Sequence, residues 1–235
     1  FNQDLSNWNV SSVTTMEFMF IRAYDFSGDI TTWDVSNVTN MDHMFKWANS
    51  FNQDLSNWNV SSVVNFRGMF EGNTSFNGDI STWDVSSEAD MTGMFHYASN
   101  FNQDIGDWNV SNVTSMMEMF KSATSFNQDL SSWDVSNVTD FTLMFENTNA
   151  LTDENKCTIH IKFLSNQYWF YDWYSFCPPC DGLIDCAGVC DGGSVVDECG
   201  VCEGDDSTCD LCDDVDTDGV CDDVDDCVGE FDIGG

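Results

Sequence analysis

A strict period of 25 residues governs residues 1–150 and limits what this part of the chain can fold into. The phrase FNQDLSNWNV begins at Phe1 and again at Phe51, and FNQDIGDWNV begins at Phe101. In each of the six 25-residue units, Phe stands at position 1, Asp at position 4, Trp at position 8 and Met at position 19, without insertion or loss. Units of this length bury their apolar faces only by stacking on their neighbours. The period therefore predicts a solenoid.

The spacing of apolar residues within a unit predicts an α/β fold. Positions 5, 8, 10 and 13 follow the leucine-rich-repeat spacing LxxLxLxxN, which predicts a short strand at about Asn7 to Ser11. Positions 13, 16, 19 and 20 form a helical stripe, and Thr14 with Glu17 forms a capping-box pattern. Each unit is therefore predicted to be a strand followed by a short helix.

The stretch WDVSNVTNMDHMFKWANSFNQDL, from Trp33 to Leu55, resembles the repeat of the BspA-like leucine-rich-repeat surface proteins. The resemblance covers residues 1–150 and implies a right-handed leucine-rich-repeat-like coil that serves in surface attachment and in host or matrix binding. Position 13, where that repeat has Asn, holds Val in five units and Glu88 in the fourth. We therefore expect no asparagine ladder at position 13.

Two rows of polar residues and two apolar rows repeat along the units. Six carboxylates in register at position 4 need partners, so each is predicted to accept backbone N–H bonds from its own turn, with calcium shared between turns as the alternative. Position 9 alternates Asn and Asp. The alternation either spaces the carboxylates of this row far enough apart for salt to screen their repulsion, or results from copying of segments two units long. The Trp and Met rows are predicted to be core, not base-stacking or soft-metal sites.

The two ends of the repeats are expected to differ. After Leu151 the register breaks, Thr152 is a predicted helix cap, and the aromatic run of residues 168–176 is a predicted lid, with a Cys157–Cys177 bridge as one candidate. At the other end nothing covers Phe1. We expect either upstream repeats in a longer gene product or a neighbouring copy in a head-to-tail assembly, with a bare end that the fold tolerates as the third alternative.

Residues 177–235 form a third predicted region, an acidic, cysteine-rich tail with 19 Asp or Glu and no Lys or Arg. Its segment DVDTDGVCDDVD has acidic residues and Gly219 at the spacing of an oxygen-rich calcium loop, although it ends in Asp where Glu is usual. With Cys227 it also resembles thrombospondin type 3 calcium-binding repeats; the alternative is a solvated acidic tail. The predicted calcium ligands are Asp214, Asp216, Asp218, the Val220 carbonyl, Asp222 and Asp225.

The density of cysteines predicts disulfides and an oxidising compartment. DCAGVCDGG and DECGVCEGD form a small repeat that is similar to cysteine-rich modules of microbial surface proteins; zinc is the less favoured interpretation, since the tail has no His. The disulfide candidates are Cys157, Cys177, Cys180, Cys186, Cys190, Cys199, Cys202, Cys209, Cys212, Cys221 and Cys227. Candidate glycosylation sequons begin at Asn9, Asn37, Asn59, Asn73, Asn109, Asn112 and Asn137.

Composition and motifs narrow the function. A formal charge of -35 disfavours nucleic acid and anionic lipid as partners, and no stretch approaches the roughly 18 to 20 apolar residues of a membrane span. His43, His96 and His160 are scattered and expected at the surface or in the lid, and no catalytic constellation is present, so an enzyme is not expected.

The sequence predicts three parts: a repeat region of residues 1–150, a cap of residues 151–176 and a calcium-binding tail of residues 177–235. The predicted function is that of an extracellular, cell-surface structural or adhesive protein with calcium as its cofactor. Polar residues at positions 7 and 9 suit protein or glycan contacts. The alternative is a self-assembling subunit of an extracellular fibre or appendage, with other copies of the chain as partners.

Overall fold

The structure, a computed structural model, describes residues 1–177, which belong to one compact unit. Its regular elements are the helix α1, Asp153–Phe163, and a 3-10 helix, Tyr174–Phe176. Residues 1–150 contain neither a helix nor a named strand, only isolated parallel bridges such as Thr15 with Asn40. The predicted strand-plus-helix unit is therefore wrong. The region is densely packed and has little regular secondary structure.

Each unit is instead a succession of tight turns. The backbone N–H of Trp8 donates to the carbonyl of Leu5 at 2.9 Å, and the N–H of Val13 donates to the carbonyl of Val10 at 2.8 Å. Positions 16 and 19, and positions 20 and 23, are joined in the same way. The apolar spacing of three is thus the spacing of residues that are joined by turn hydrogen bonds. A stripe of period three imitates one helix face, which explains the error.

A second set of backbone bonds joins neighbouring units at positions 14 to 22. In the first unit the donors are the N–H groups at positions 16, 18, 20 and 22, and the acceptors are carbonyls of the second unit at 2.7–2.9 Å. The backbone at positions 18 and 22 is left-handed, as at Phe18 (φ 56°) and Arg22 (φ 57°). A β-strand does not contain such residues, so the segment bonds to its neighbour without forming a regular sheet.

Aromatic rings stack in columns through the interior. Phe51 lies between Phe26 and Phe76, with ring centroids 5.9 and 6.3 Å away, and the Trp83 and Trp108 rings are 6.4 Å apart. The five later Trp residues are only 3–4% exposed, and each indole N–H donates to a carbonyl of the preceding unit at 3.0–3.2 Å. The predicted Trp core is confirmed for these five.

An asparagine ladder is present, but at position 2. The side-chain oxygens of Asn52, Asn77 and Asn102 each accept the N–H of the equivalent residue one unit later, at 2.7–2.8 Å. The ladder ends where Asn127 accepts the N–H of Thr152 at 2.9 Å. The side chain at position 2 therefore bonds one unit to the next.

The junction of the third and fourth units departs from the regular pattern. Glu88 replaces the usual Val and is fully buried. Its carboxylate accepts the N–H groups of Phe66, Ala89 and Asp90 at 2.6–2.8 Å. Burial raises the pKa of Glu88, and these backbone bonds oppose that shift. A side chain here takes over backbone bonds that other units make between themselves.

Residues 151–177, which we call the cap, bond to the last unit. Thr152 caps α1 by accepting the N–H of Asn155. Asn166 donates to two carbonyls of the sixth unit at 2.6 and 2.8 Å, and the Tyr171 hydroxyl accepts the N–H of Phe145 at 3.0 Å. A disulfide joins Cys157 to Cys177, whose Cα atoms are 4.8 Å apart. The cap thus supplies partners to backbone groups that a further unit would otherwise bond.

Candidate functional site

The predicted calcium and tail-cysteine residues lie outside the described residues. Within residues 1–177, no group of three or more His, Cys, Asp or Glu side chains is placed to hold a metal ion. In the same residues, no helix has both the length and the apolar character that a membrane span requires. The residues left outside are Asp214, Asp216, Asp218, Val220, Asp222, Asp225, Cys180, Cys186, Cys190, Cys199, Cys202, Cys209, Cys212, Cys221 and Cys227.

The six Asp residues of position 4 have the predicted turn role. Each carboxylate accepts the N–H two residues later at 2.9–3.0 Å. The hydroxyl and then the backbone N–H of Ser6 lower the pKa of Asp4, and Thr31 does the same for Asp29. In Asp4 and Asp29 the bonds within the turn thus favour the ionised carboxylate.

Position 9 works in the same way whether it holds Asn or Asp. The side-chain oxygen of Asn59 accepts the hydroxyl of Ser61 at 2.8 Å, and that of Asp84 accepts the hydroxyl of Ser86 at 2.6 Å. Since the turn needs one oxygen, the alternation changes only the charge of the surface.

A shallow depression lies on the surface of the second and third units, near positions 7 and 9. It is lined by Thr31, Thr32, Trp33, Asp34, Val35, Asn57 and Asn59.

The candidate glycosylation residues fall into three environments. The amides of Asn37, Asn112 and Asn137 donate to carbonyls of the preceding unit at 2.7–2.8 Å, which engages the nitrogen that would carry a glycan. Asn73 is fully buried. The remaining three, whose side chains are exposed, are Asn9, Asn59 and Asn109.

One face of the repeats differs from unit to unit. We call positions 17, 18, 21 and 22 the variable face; reading 17, 18, 21, 22 in order, the six units carry EFIR, DHKW, RGEG, TGHY, MEKS and TLEN. These positions contain every Lys and Arg of residues 1–150 and two of the three His residues. Their neighbours at positions 16, 19 and 20 point inward in nearly every unit. A constant scaffold thus presents a changing set of side chains.

The charged residues of the variable face form an ion-pair network across the units. Lys46 lies 2.7 Å from the Glu71 carboxylate, and His43 lies 3.4 Å from the same carboxylate. Lys121 contacts Glu118 at 2.8 Å. In residues 1–150 the face holds five of the 19 acids and all four Lys and Arg. It is therefore nearly neutral, whereas the rest of the repeat surface is acidic.

His96 lies between two of these carboxylates. Its Nδ1 atom is 3.9 Å from Glu71 and 3.8 Å from Glu118, and its buried Nε2 atom has no hydrogen-bond partner. Burial lowers the pKa of His96, while Glu118 and Glu71 act in the opposite direction. His43 and His96 are thus mostly buried members of a charge network, not the scattered surface residues that were expected. His160 lies in the lid, as expected, and accepts the Trp169 indole N–H at 3.1 Å.

Glycines stand at the centre of the variable face, and side chains of the second unit pack on two of them. The equivalent left-handed positions hold Gly68, Gly72 and Gly93 in the third and fourth units, with φ of 55°, 69° and 63°. A Cβ atom at Gly72 would lie 2.5 Å from the Trp47 indole, so Trp47 extends across this glycine. The Trp47 ring thereby approaches Tyr97, with centroids 6.3 Å apart.

Sequence comparison gives the family of the repeats. The family DUF285, described as "Mycoplasma protein of unknown function", matches residues 1–99 and 79–178. The chain belongs to the DUF285 family. No curated protein and no solved structure matches it. Both DUF285 matches span the units that carry the variable face, so that face lies within the family's own domain.

The sequence interpretation missed the variable face of this DUF285 chain because it compared the units for their likeness. A signal was present: when the six units are aligned, positions 17, 18, 21 and 22 share no common residue type, whereas positions 1, 4, 8, 10, 11, 19 and 20 do not change. Recognition surfaces are assembled from dissimilar side chains on a rigid framework. The differences among units therefore carry more functional information than the repeated phrase.

Proposed function

We propose that this protein is an extracellular structural or adhesive surface protein. In this proposal the repeats form a right-handed, solenoid-like coil akin to BspA-like leucine-rich-repeat proteins, and the variable face makes the protein or glycan contacts. The tail binds calcium through Asp214 to Asp225, and the protein is not an enzyme.

The supporting observation is the separation of constant and variable positions. The side-chain bonds of positions 2 and 8 recur from unit to unit, whereas the variable face lies over a ladder of backbone bonds and combines aromatic, acidic and basic groups. Tyr, Trp and Arg are the residues that most often dominate binding energy at interfaces. Trp47, Arg67 and Tyr97 all lie on this face.

A binding screen of the full chain tests this function. The immobilised protein is probed with a glycan array and with purified collagen, laminin and fibronectin. We expect a signal that the double substitution Arg67→Ala and Tyr97→Ala removes. The matched control is Ser62→Ala with Val64→Ala, two exposed residues of the third unit that lie outside the variable face and outside positions 7 and 9. A signal lost equally in the control, or no signal on either probe set, would contradict the proposal.

The calcium part of the proposal has its own test. A tail with 19 acidic residues and no base repels itself, and divalent cations would offset that repulsion. Calorimetry with calcium should detect at least one site in the full chain. Substitution of Asp214 and Asp218 by Asn should remove it, and unchanged heat in that variant would contradict the assignment.

A fibre subunit is the second candidate, supported by the edge of the first unit. Trp8 is 54% exposed and Phe1 is 62% exposed, whereas their counterparts in later units are buried. Such a surface can pack against the last unit of a second copy. Light scattering of this chain with calcium and with chelator separates the cases: a 26.4 kDa monomer in both would exclude self-assembly.

A further inference from the structure

We infer that the variable face is the contact surface of a homodimer, in which a second copy of this chain lies face to face with the first and antiparallel to it. The inference rests on the proposed recognition function of this face and names its partner. It depends on the row of side chains at position 21, which we call the charge row. From the second to the sixth unit this row holds Lys46, Glu71, His96, Lys121 and Glu146.

The charge row is a line of side chains that contact or approach one another within the chain. The Lys46 ammonium lies 2.7 Å from the Glu71 carboxylate, and His96 lies 3.9 Å from that carboxylate. The Lys121 ammonium lies 3.1 Å from the Glu146 carboxylate. The side chains of the four charged members are 18–44% exposed. Contacts within the chain thus hold them in place, and part of each remains accessible to a partner.

The order of charges in this row is complementary to its own reverse. In a two-fold dimer the same patch of both copies meets, and an axis at the fourth unit brings the second unit of one copy opposite the sixth of the other. Lys46 of one copy then faces Glu146 of the other. Glu71 likewise faces Lys121. In the other three rows of the face, no charged residue then faces another.

The other two-fold arrangements that overlap five or six units bring like charges together. A parallel pair places each unit against itself, so Lys46 faces Lys46. An antiparallel pair with its axis at the third unit places Glu71 against Glu71. With the axis between the third and fourth units, Lys46 faces Lys121. The charge row therefore selects the axis at the fourth unit, because like charges that face each other across an interface are unfavourable.

Electrostatics also favours this face over the rest of the repeat surface as the contact between copies. The other 14 acids of residues 1–150 lie outside the variable face, and no Lys or Arg accompanies them. Two copies therefore repel each other where those surfaces meet. Charge complementarity fixes the register of an interface and disfavours other partners. The order of charges on the variable face thus specifies another copy of the chain.

An aromatic pair lies at the centre of this arrangement. Tyr97 belongs to the fourth unit and is 45% exposed, so the axis brings it opposite its own counterpart. His96 stacks on Tyr97 with ring centroids 4.3 Å apart, and burial lowers the pKa of His96, which favours a neutral imidazole there. Exposed ion pairs contribute little free energy by themselves, whereas central Tyr residues often dominate it. Tyr97 would supply affinity, and the charge row would supply register.

Sedimentation velocity of the full chain, at neutral pH and physiological salt over a wide range of concentration, tests the dimer. We expect a species of twice the monomer mass of 26.4 kDa. Lys46→Glu and Glu146→Lys each place like charges opposite each other at two points, and each should weaken the dimer about tenfold or more. An equal mixture of the two variants should dimerise as the parent does, because every facing pair in the mixed dimer again has opposite charges.

The mixture separates an interface from a folding defect, since mixing cannot repair a chain that fails to fold. Asp107→Lys is the control: it makes the same kind of charge change as Glu146→Lys at an exposed residue outside the variable face, and it should dimerise as the parent does. Thermal melting checks that each variant is folded.

The outcomes distinguish this inference from the proposed function. A dimer that either charge reversal weakens and that the mixture restores supports the inference. A parent that stays monomeric at every concentration, a dimer that neither reversal weakens, or a mixture that does not recover overturns it. If the parent is a monomer and binds a glycan or matrix protein through Arg67 and Tyr97, the dimer fails while the recognition function stands.

Discussion

Positions 1–13 of each unit change little from unit to unit, and we call their surface the constant surface. It and the variable face belong to the same six units, yet they hold those units together in different ways. On the constant surface, side chains make the bonds: position 2 forms the asparagine ladder, and the indole at position 8 donates to the preceding unit. On the variable face, backbone N–H and carbonyl groups make the bonds between units. Side chains there add ion pairs between units, such as Lys46 with Glu71, but the backbone bonds do not depend on which side chain is present. The comparison shows that side chains vary most where backbone groups make the bonds between units, at positions 17, 18, 21 and 22.

The largest expected difference is between two tryptophans of the same row. Trp83→Ala should reduce the free energy of unfolding by about 3–5 kcal/mol, as core truncations of large aromatics do. Trp83 is 3% exposed and donates to Leu55 at 3.0 Å, whereas Trp8 is 54% exposed. Trp8→Ala should therefore cost much less. Denaturant unfolding of both variants checks this, and equal losses would contradict the account of the core.

The asparagine ladder should give a smaller loss. Asn77→Ala leaves the N–H of Asn102 without its 2.8 Å acceptor, which should cost about 1 kcal/mol of unfolding free energy. Asn57→Ala is the matched control, since Asn57 is exposed on the constant surface of the third unit. The same denaturant series measures both. If Asn57→Ala lowers the free energy of unfolding as much as Asn77→Ala does, the ladder does not stabilise the stacking of the units.

Much of the constant part could be predicted from the sequence. The Asp residues of position 4 and Thr152 at the start of α1 follow from local chemistry, because they bond to N–H groups two or three residues away. The buried Trp row follows from the recurrence of one large apolar residue in every unit. Strand and helix were wrongly predicted because a turn hydrogen bond and a helical stripe share the spacing of three. The Asn residues of position 2 were missed since their partners lie 25 residues away.

The variable face could be predicted only in part. Its positions can be found by aligning the units, but its contacts depend on neighbours from three units. Glu71, for example, contacts Lys46 of the preceding unit and lies near His96 of the next. No local pattern shows that Trp47 extends across Gly72. Left-handed backbone at positions 18 and 22 was equally hidden, since only some units place glycine there.

The network around His96 predicts a modest pH dependence. Burial lowers the pKa of His96 in the folded chain, so the unfolded chain takes up its proton first as the pH falls below the ordinary value of 6.5. The stability linked to neutral His96 is thus complete above that value and is lost below it. His96→Gln should reduce the fall in melting temperature between pH 7.5 and 5.5. His160, whose pKa is also lowered, keeps part of the fall. An unchanged fall would show that His96 is not responsible.

The smallest expected effect is at an exposed charge of the variable face. Arg67 lies 3.9 Å from Asp90, and both side chains are about half exposed. Arg67→Ala should change the free energy of unfolding by less than about 0.5 kcal/mol, because exposed ion pairs contribute little. Denaturant unfolding measures the change. A loss of several times that size would mean that the variable face is part of the scaffold.

An exchange of variable-face side chains between units tests the central claim most directly. Arg67 trades places with Thr142 and Tyr97 trades places with Ser122, so composition, net charge and every constant position stay the same. Neither exchange moves a side chain that packs on a glycine of the next unit. The measurement is binding to the glycan and matrix-protein panel, with melting temperature as the control for folding. The account predicts a chain that melts as the parent does and loses the parent's binding pattern. An unchanged binding pattern in the folded variant would contradict it.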